Sequence, residues 1–155
     1  MKIKRWSLCF FLSALMAACA TAPAPRQIQN SFPIEKPFDS VWQAVIETFA
    51  DLNLPIVNME KASGLITTDW ISFRDQKDNV GYCSCGSPGF PYGEVDRAGK
   101  FNVYVKKINE NSCEVKINSV FEQTAAYQRS TIKRTCLSTG KLEADMFKRI
   151  QEKIK

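Results

Sequence analysis

Histidine is absent from the 155 residues, and with it go the commonest general base and the commonest imidazole metal ligand. A nucleophile-elbow GxSxG, a phosphate-cradling glycine loop and a dinucleotide fingerprint are missing as well. None of the six cysteines forms a CxxC, the spacing that redox pairs and paired-cysteine zinc sites use. The acidic pairs Asp75 with Asp78 and Glu94 with Asp96 stand beside Arg74, Lys77 and Arg97, so solvated surface charge explains them better than glycosidase chemistry. No enzyme is expected, and neither a cofactor nor a metal. No apolar run reaches the ~20 residues of a spanning helix. The basic surplus is also slight: setting Lys2, Lys4 and Arg5 apart from the formal charge of +5 leaves +2 over residues 19–155. A nucleic-acid partner loses its electrostatic support. What is present, 45% apolar and 24% charged residues, is ordinary for one folded domain.

The amino-terminal segment speaks most clearly. Lys2, Lys4 and Arg5 precede the apolar run Leu8 to Ala18, the length of a signal-peptide core. The run closes in Leu15-Met16-Ala17-Ala18-Cys19, which resembles the lipobox of bacterial lipoproteins, with Met16 in place of the usual Leu, Val or Ile. The resemblance implies a cleavable signal over 1–18 and diacylglycerol, with a further acyl chain such as palmitate, on Cys19. The thiol takes the lipid as a thioether, and the small residues before it fit the signal peptidase. The alternative is an ordinary secretory signal cut among Ala18, Ala20 and Ala22, with Cys19 incidental. Residues 19–29 read as a tether, since Ala20 to Arg26 is small and proline-bearing. Ala20 stands where Asp commonly retains such lipoproteins in the inner membrane. The expected address is therefore the outer membrane, lipid-anchored, with the domain facing the periplasm.

Residues 30–155 are expected to form one α+β domain. Phe38, Val41, Trp42, Val45, Ile46, Phe49 and Leu52 recur at helical spacing, with Asp39 and Ser40 near the start and Asn53 and Pro55 as the stop. Leu142, Met146, Ile150 and Ile154 mark a second helix, with Thr139 and Gly140 at its cap and basic residues in its last turns. Between them the period falls to two. Ile56 to Met59 and Leu65 to Phe73 flank the turn Lys61-Ala62-Ser63-Gly64, and Phe101 to Lys106 and Cys113 to Phe121 flank Asn109-Glu110-Asn111. A weaker strand precedes the first helix at Ser31 to Ile34. The predicted architecture is an antiparallel sheet of about four or five strands packed against two helices, with Trp42 and Trp70 assigned to the core.

Phe38-Asp39-Ser40-Val41-Trp42, Ser63-Gly64-Leu65-Ile66-Thr67-Thr68-Asp69-Trp70 and Ser138-Thr139-Gly140-Lys141-Leu142-Glu143 together resemble small bacterial lipoproteins related to the C subunit of the outer-membrane β-barrel assembly machinery, the NlpB type. That likeness, over about residues 30 to 155, implies a helix-grip-like fold and an envelope protein as partner. The assembly subunit carries such domains in tandem behind a long leader, whereas this chain has room for one.

Apart from Cys9 and Cys19, four cysteines remain: Cys83, Cys85, Cys113 and Cys136. An even number in an exported chain reads as disulfides. A Cys83 to Cys85 bridge would close a very small ring, so one of the two is expected to reach Cys136 and the other Cys113. Because Cys85 and Cys136 both flank the sheet edge and the second helix, the expected pairs are Cys85 with Cys136 and Cys83 with Cys113. A four-thiolate zinc site and, for Cys113, a plain core position are the competing readings. Five of the seven glycines fall in 81–99 with Tyr82, Phe90 and Tyr92, a segment read as a long loop. It either presents these aromatics to a partner or is an insertion needing only its staples. Two functions follow: a protein-binding or scaffold module of the envelope, or a carrier of a small hydrophobic ligand or glycan between sheet and helix.

Overall fold

The computed structural model describes residues 26–73 and 81–154. The expected signal over 1–18, Cys19, the start of the expected tether, and Arg74, Asp75, Lys77 and Asp78 lie outside the described residues. Two strands organise everything else: β6 (Gly93–Asn109) and β7 (Ser112–Tyr127) form one long antiparallel hairpin, paired from Gly93 with Ala126 to Asn109 with Ser112. Each outer edge of this hairpin is shared by two strands end to end. On the β6 side, β3 (Leu65–Thr68) pairs near Val103, and β4 (Ile71–Ser72) pairs at Gly99 and Ala98. On the β7 side, β1 (Ser31–Ile34) pairs with Cys113 to Lys116, while β8 (Ser130–Ser138) pairs with Phe121 to Tyr127. β2 (Ile56–Glu60) flanks β3 at one margin and β5 (Cys83–Ser84) flanks β8 at the other.

The alternating pattern that marks a half-buried strand runs the length of β7. Cys113, Val115, Ile117, Phe121, Gln123 and Ala125 are buried, with Ser119 half-buried among them, and the residues between turn outward. Phe101, Val103 and Val105 of β6 and Ile66 and Thr68 of β3 continue that face. Upon it lie α1 (Phe38–Asp51) and α2 (Lys141–Lys153), which also pack on each other. Val41, Trp42, Ala44, Val45, Thr48 and Phe49 form the stripe of α1, and Leu142, Met146 and Ile150 that of α2. Phe49 meets Phe101 with ring centroids 5.8 Å apart, and Phe32 stacks on Phe147 at 4.1 Å. Each such ring, once buried, stabilises the fold by about 1.5–3 kcal/mol.

The expectation of four or five strands against two helices is corrected: the sheet has eight strands, and strand dominates the chain. The helix-grip-like arrangement falls with it. Helices of 14 and 13 residues span about 20 Å each, whereas the central strands of 17 and 16 residues run beyond 50 Å. Two stretches account for the difference. Gly93 to Gly99, read as loop because of its glycines and charges, is the opening of β6. Residues 122–138, rich in Thr, Gln, Lys and Arg, form the end of β7 and all of β8, where backbone pairing rather than apolar alternation sets the conformation.

Trp42 is buried in the core, but Trp70 is 40% exposed, with Lys100 Nζ over its ring at 5.1 Å from the centroid. The turn before β3 behaves as expected. Gly64 adopts φ +73° and its carbonyl accepts from the Val105 N–H, so a Cβ there would lie 2.1 Å from Val105 O. Backbone oxygen cannot withdraw as a flexible side chain can. Gly64→Ala is expected to destabilise the fold by about 2–4 kcal/mol, read as a lowered chemical-denaturation midpoint. A midpoint unchanged from wild type would refute this account of the turn.

Candidate functional site

The greatest concentration of chemistry lies where β5 and β8 meet the start of α2. The β5–β8 register sets Cys83 opposite Ser138 and Ser84 opposite Leu137, so the next residue, Cys85, comes level with Cys136. Cys85 and Cys136 form a disulfide with their Cα atoms 4.2 Å apart, the first of the two expected pairs. Cys83, two residues away on the same face, is a buried free thiol whose Sγ lies 3.7 Å from that of Cys85. All three sulfurs fall within 4.8 Å of one another.

The second expected pair does not form. Cys113 is a separate buried free thiol, placed at the start of β7 opposite Lys107 and Ile34. Cys136 is opposite Phe121, eight positions further along the same strand, which is roughly 26 Å. A bridge needs Cα atoms within about 7 Å. Cys113 thus occupies the core position that was its competing reading. Burial raises both free thiols above their ordinary pKa; near Cys83, Arg97 works against the rise and Glu94 with it, and near Cys113, Lys107 opposes it.

Beside the sulfurs stands a charged side chain that sequence reasoning passed over. Glu143, in the first turn of α2, is fully buried. Ser119 Oγ of β7 donates to its Oε1 at 2.5 Å, and Ser138 Oγ of β8 lies 2.9 Å from both carboxylate oxygens. Ser138 also accepts from the Gly140 N–H at 3.0 Å, and Thr139 Oγ1 accepts from the Lys141 N–H at 3.3 Å. From two residues and one residue upstream of the usual position, these hydroxyls replace the side-chain cap that Gly140, left-handed at φ +86°, cannot supply. The signal available was Ser138 five residues before Glu143, within a run already noted as a cap. The carboxylate works here as a fastener between helix and sheet.

The three loop aromatics do not converge. Phe90, preceding the cis proline Pro91, is 92% exposed. Tyr92 is half-buried, its hydroxyl 3.1 Å from Ser130 Oγ and its ring packed on Tyr127. Tyr82 turns inward, edge-on to Phe73 and beneath Lys141 Nζ at 4.8 Å; burial, with Asp145 next, raises its phenol pKa. Phe90 alone is free to meet a partner by its exposure. Glu94 and Asp96, taken as surface charge in loop-like sequence, sit on strand β6 rather than in a loop, with Glu94 exposed and Asp96 half-buried. Glu94 forms a two-pronged ion pair with Arg97 at 2.7 Å and accepts from the buried Gln123 amide at 2.6 Å, while Asp96 accepts from Ser72 at 2.7 Å.

Apolar exposure gathers on β2. All five of its residues are exposed, Val57 at 61% and Met59 at 54%. A bulge between Ile56 and Asn58 leaves Val57 without a cross-strand partner, and β2 ends the sheet at that margin.

Loss of the disulfide should be costly, because it closes a span of 51 residues. Cys136→Ser is expected to lose about 2–5 kcal/mol and Cys113→Ser about 1 kcal/mol, both read by urea denaturation; equal losses would discount the bridge. Glu143→Ala, which removes the acceptor of two half-buried hydroxyls, should cost about 2–4 kcal/mol, and a loss below that of a surface substitution would show that the fastener is idle. No protein-family model matches this sequence, and no curated protein matches it.

Proposed function

We propose that this chain is a lipid-anchored envelope lipoprotein whose folded domain binds another protein through the exposed apolar margin of β2. The single observation behind this reading is the group Ile56, Val57 and Met59, exposed at 41%, 61% and 54% on a sheet margin. Exposed apolar side chains grouped at a margin, unlike scattered ones, are a signature of interaction surfaces. The bulge at Val57 interrupts regular pairing, so contact is by side chains entering a partner's pocket rather than by addition of a further strand. Phe90 offers a second contact of the same chemistry.

The partner class comes from the lipoprotein-like amino terminus and from the likeness to the NlpB type: an outer-membrane protein complex, engaged in barrel assembly or maintenance. Carriage of a hydrophobic ligand finds less support. The interval between sheet and helices is filled by Phe49, Phe101, Phe121, Met146 and Ile150, each at most 6% exposed.

The test is in-cell crosslinking of the full chain followed by mass spectrometry. An identified envelope complex should be recovered with wild type and lost with Cys19→Ser, which cannot take the lipid. Val57→Lys with Met59→Lys should lower recovery at least tenfold while the melting temperature stays within two degrees, as about 0.5 kcal/mol implies for exposed positions. Undiminished recovery by the double lysine variant would overturn the β2 reading.

A further inference from the structure

We propose that Cys83, Cys85 and Cys136 become a three-thiolate site for a thiophilic monovalent cation, Cu(I), when the Cys85–Cys136 disulfide is reduced. Three observations carry this, none of them drawn from the docking surface on β2.

The first is convergence. Cys83 and Cys85 lie on one face of the β5 end because they are two residues apart, and the register with β8 brings Cys136 opposite Cys85. The three sulfurs lie within 4.8 Å of one another. Two thiolates bound to one metal at about 2.3 Å stand about 3.8–4.0 Å apart, and the Cys83 and Cys85 sulfurs are already separated by 3.7 Å. Cys83 is thus placed as a ligand before any metal arrives, and reduction need only let two sulfurs relax apart.

The second is the character of the donor set. All three cysteines are buried, at 7%, 3% and 4% exposure, and no carboxylate joins the cluster among the described residues. The chain has no imidazole to contribute. Structural zinc almost always takes four ligands, and calcium and magnesium take oxygen. Three soft sulfurs in a dry setting suit a d10 cation that accepts trigonal coordination, and thiolates select Cu(I) in this way.

The third is access. β5 is only two residues long and is held to β8 by two register pairs, with Thr139 Oγ1 donating to the Gly81 carbonyl at 2.5 Å. Its margin can part from β8 locally, without disturbing the β6–β7 hairpin.

The chemistry balances with one named co-reactant. A dithiol reductant gives two electrons and two protons to the Cys85–Cys136 bond, which breaks into two thiols while the reductant closes to its own disulfide. The three cysteine thiols then release three protons to solvent as one Cu(I) binds. In the reverse exchange a disulfide oxidant takes two electrons from the Cys85 and Cys136 thiolates and is reduced to its own dithiol; the re-formed bond removes two of the three ligands and releases the ion, so the site is filled only under reducing conditions.

The test uses the purified full chain, reduced with a dithiol under argon, desalted, and titrated with Cu(I) against a chromophoric Cu(I) chelator; a parallel titration uses Zn(II). Reduced wild type should bind one Cu(I) per chain more than reduced Cys83→Ser, with at least a hundredfold stronger competition against the chelator. The oxidised protein should match the variant. Cys83→Ser keeps the disulfide, so its oxidised melting curve should overlay wild type and exclude misfolding as the cause of the loss; Cys113→Ser should bind like wild type. Equal Cu(I) binding by reduced wild type and Cys83→Ser would overturn the proposal, as would Zn(II) binding that displaces stoichiometric Cu(I).

Discussion

The backbone ladder between β6 and β7 is the interaction on which the rest of the structure depends. It supplies both edges for every other strand, directly or through one neighbour. Its inner face supplies most of the surface on which the helices rest. Antiparallel strands joined by the short turn at Glu110 and Asn111 can pair from the turn outward, so this long register is built from local contacts. Once it is in place, the alternation in β7 commits Val115, Ile117 and Phe121 to one side. A shift of one residue would expose all of them.

That ladder also explains why the chemistry collects at its β7 edge. β1 takes the half of that edge near the turn and β8 takes the other half. Ser119 belongs to the stretch Ile117 to Val120 left between them. α2 follows directly from β8, so its first turn must settle over this junction, and Glu143 enters it to meet Ser119 and Ser138. A buried carboxylate is expensive unless its oxygens are hydrogen-bonded, and here they accept from hydroxyls on two different strands. Ile28, ahead of β1, packs against Gly140 at the same place, 3.3 Å from where a Cβ would stand. The entering chain, the end of the sheet and the second helix are thereby joined at one point.

Both helices, the β2–β3 hairpin, the central part of the long hairpin and β1 were legible in the sequence, because each carries a clean period or a turn residue with a physical reason. Helix α1 could be read from Val41, Val45 and Phe49 alone. The outer reach of the sheet was not legible. Thr124, Lys133 and Arg134 carry no apolar rhythm, and the strand over 93–99 begins and ends with glycine and holds Glu94, Asp96 and Arg97, as solvated loops do. Their conformation comes from partners across the ladder. Of the candidate site, Cys85 with Cys136 could be anticipated from their places beside the sheet edge and the second helix. The fate of Cys83 and Cys113 depended on how far apart β7 sets them, a distance that cysteine counting does not contain. Glu143 escaped notice because a glutamate in the first turn of a helix is ordinarily a solvated partner of the dipole.

The two surfaces assigned roles sit at opposite margins of one sheet, β2 at one end of the strand order and β5 at the other. Four strands separate them, including both members of the rigid hairpin. Cys85 and Cys136 lie at the short β5 margin, across the β6–β7 hairpin from Val57 and Met59. On the proposed anchoring, residues 19–29 span at most roughly 40 Å even when fully extended. The domain is then held near the bilayer from the α2 and β8 side, where the sulfur cluster lies. The β2 margin lies across the width of the sheet from that point of attachment.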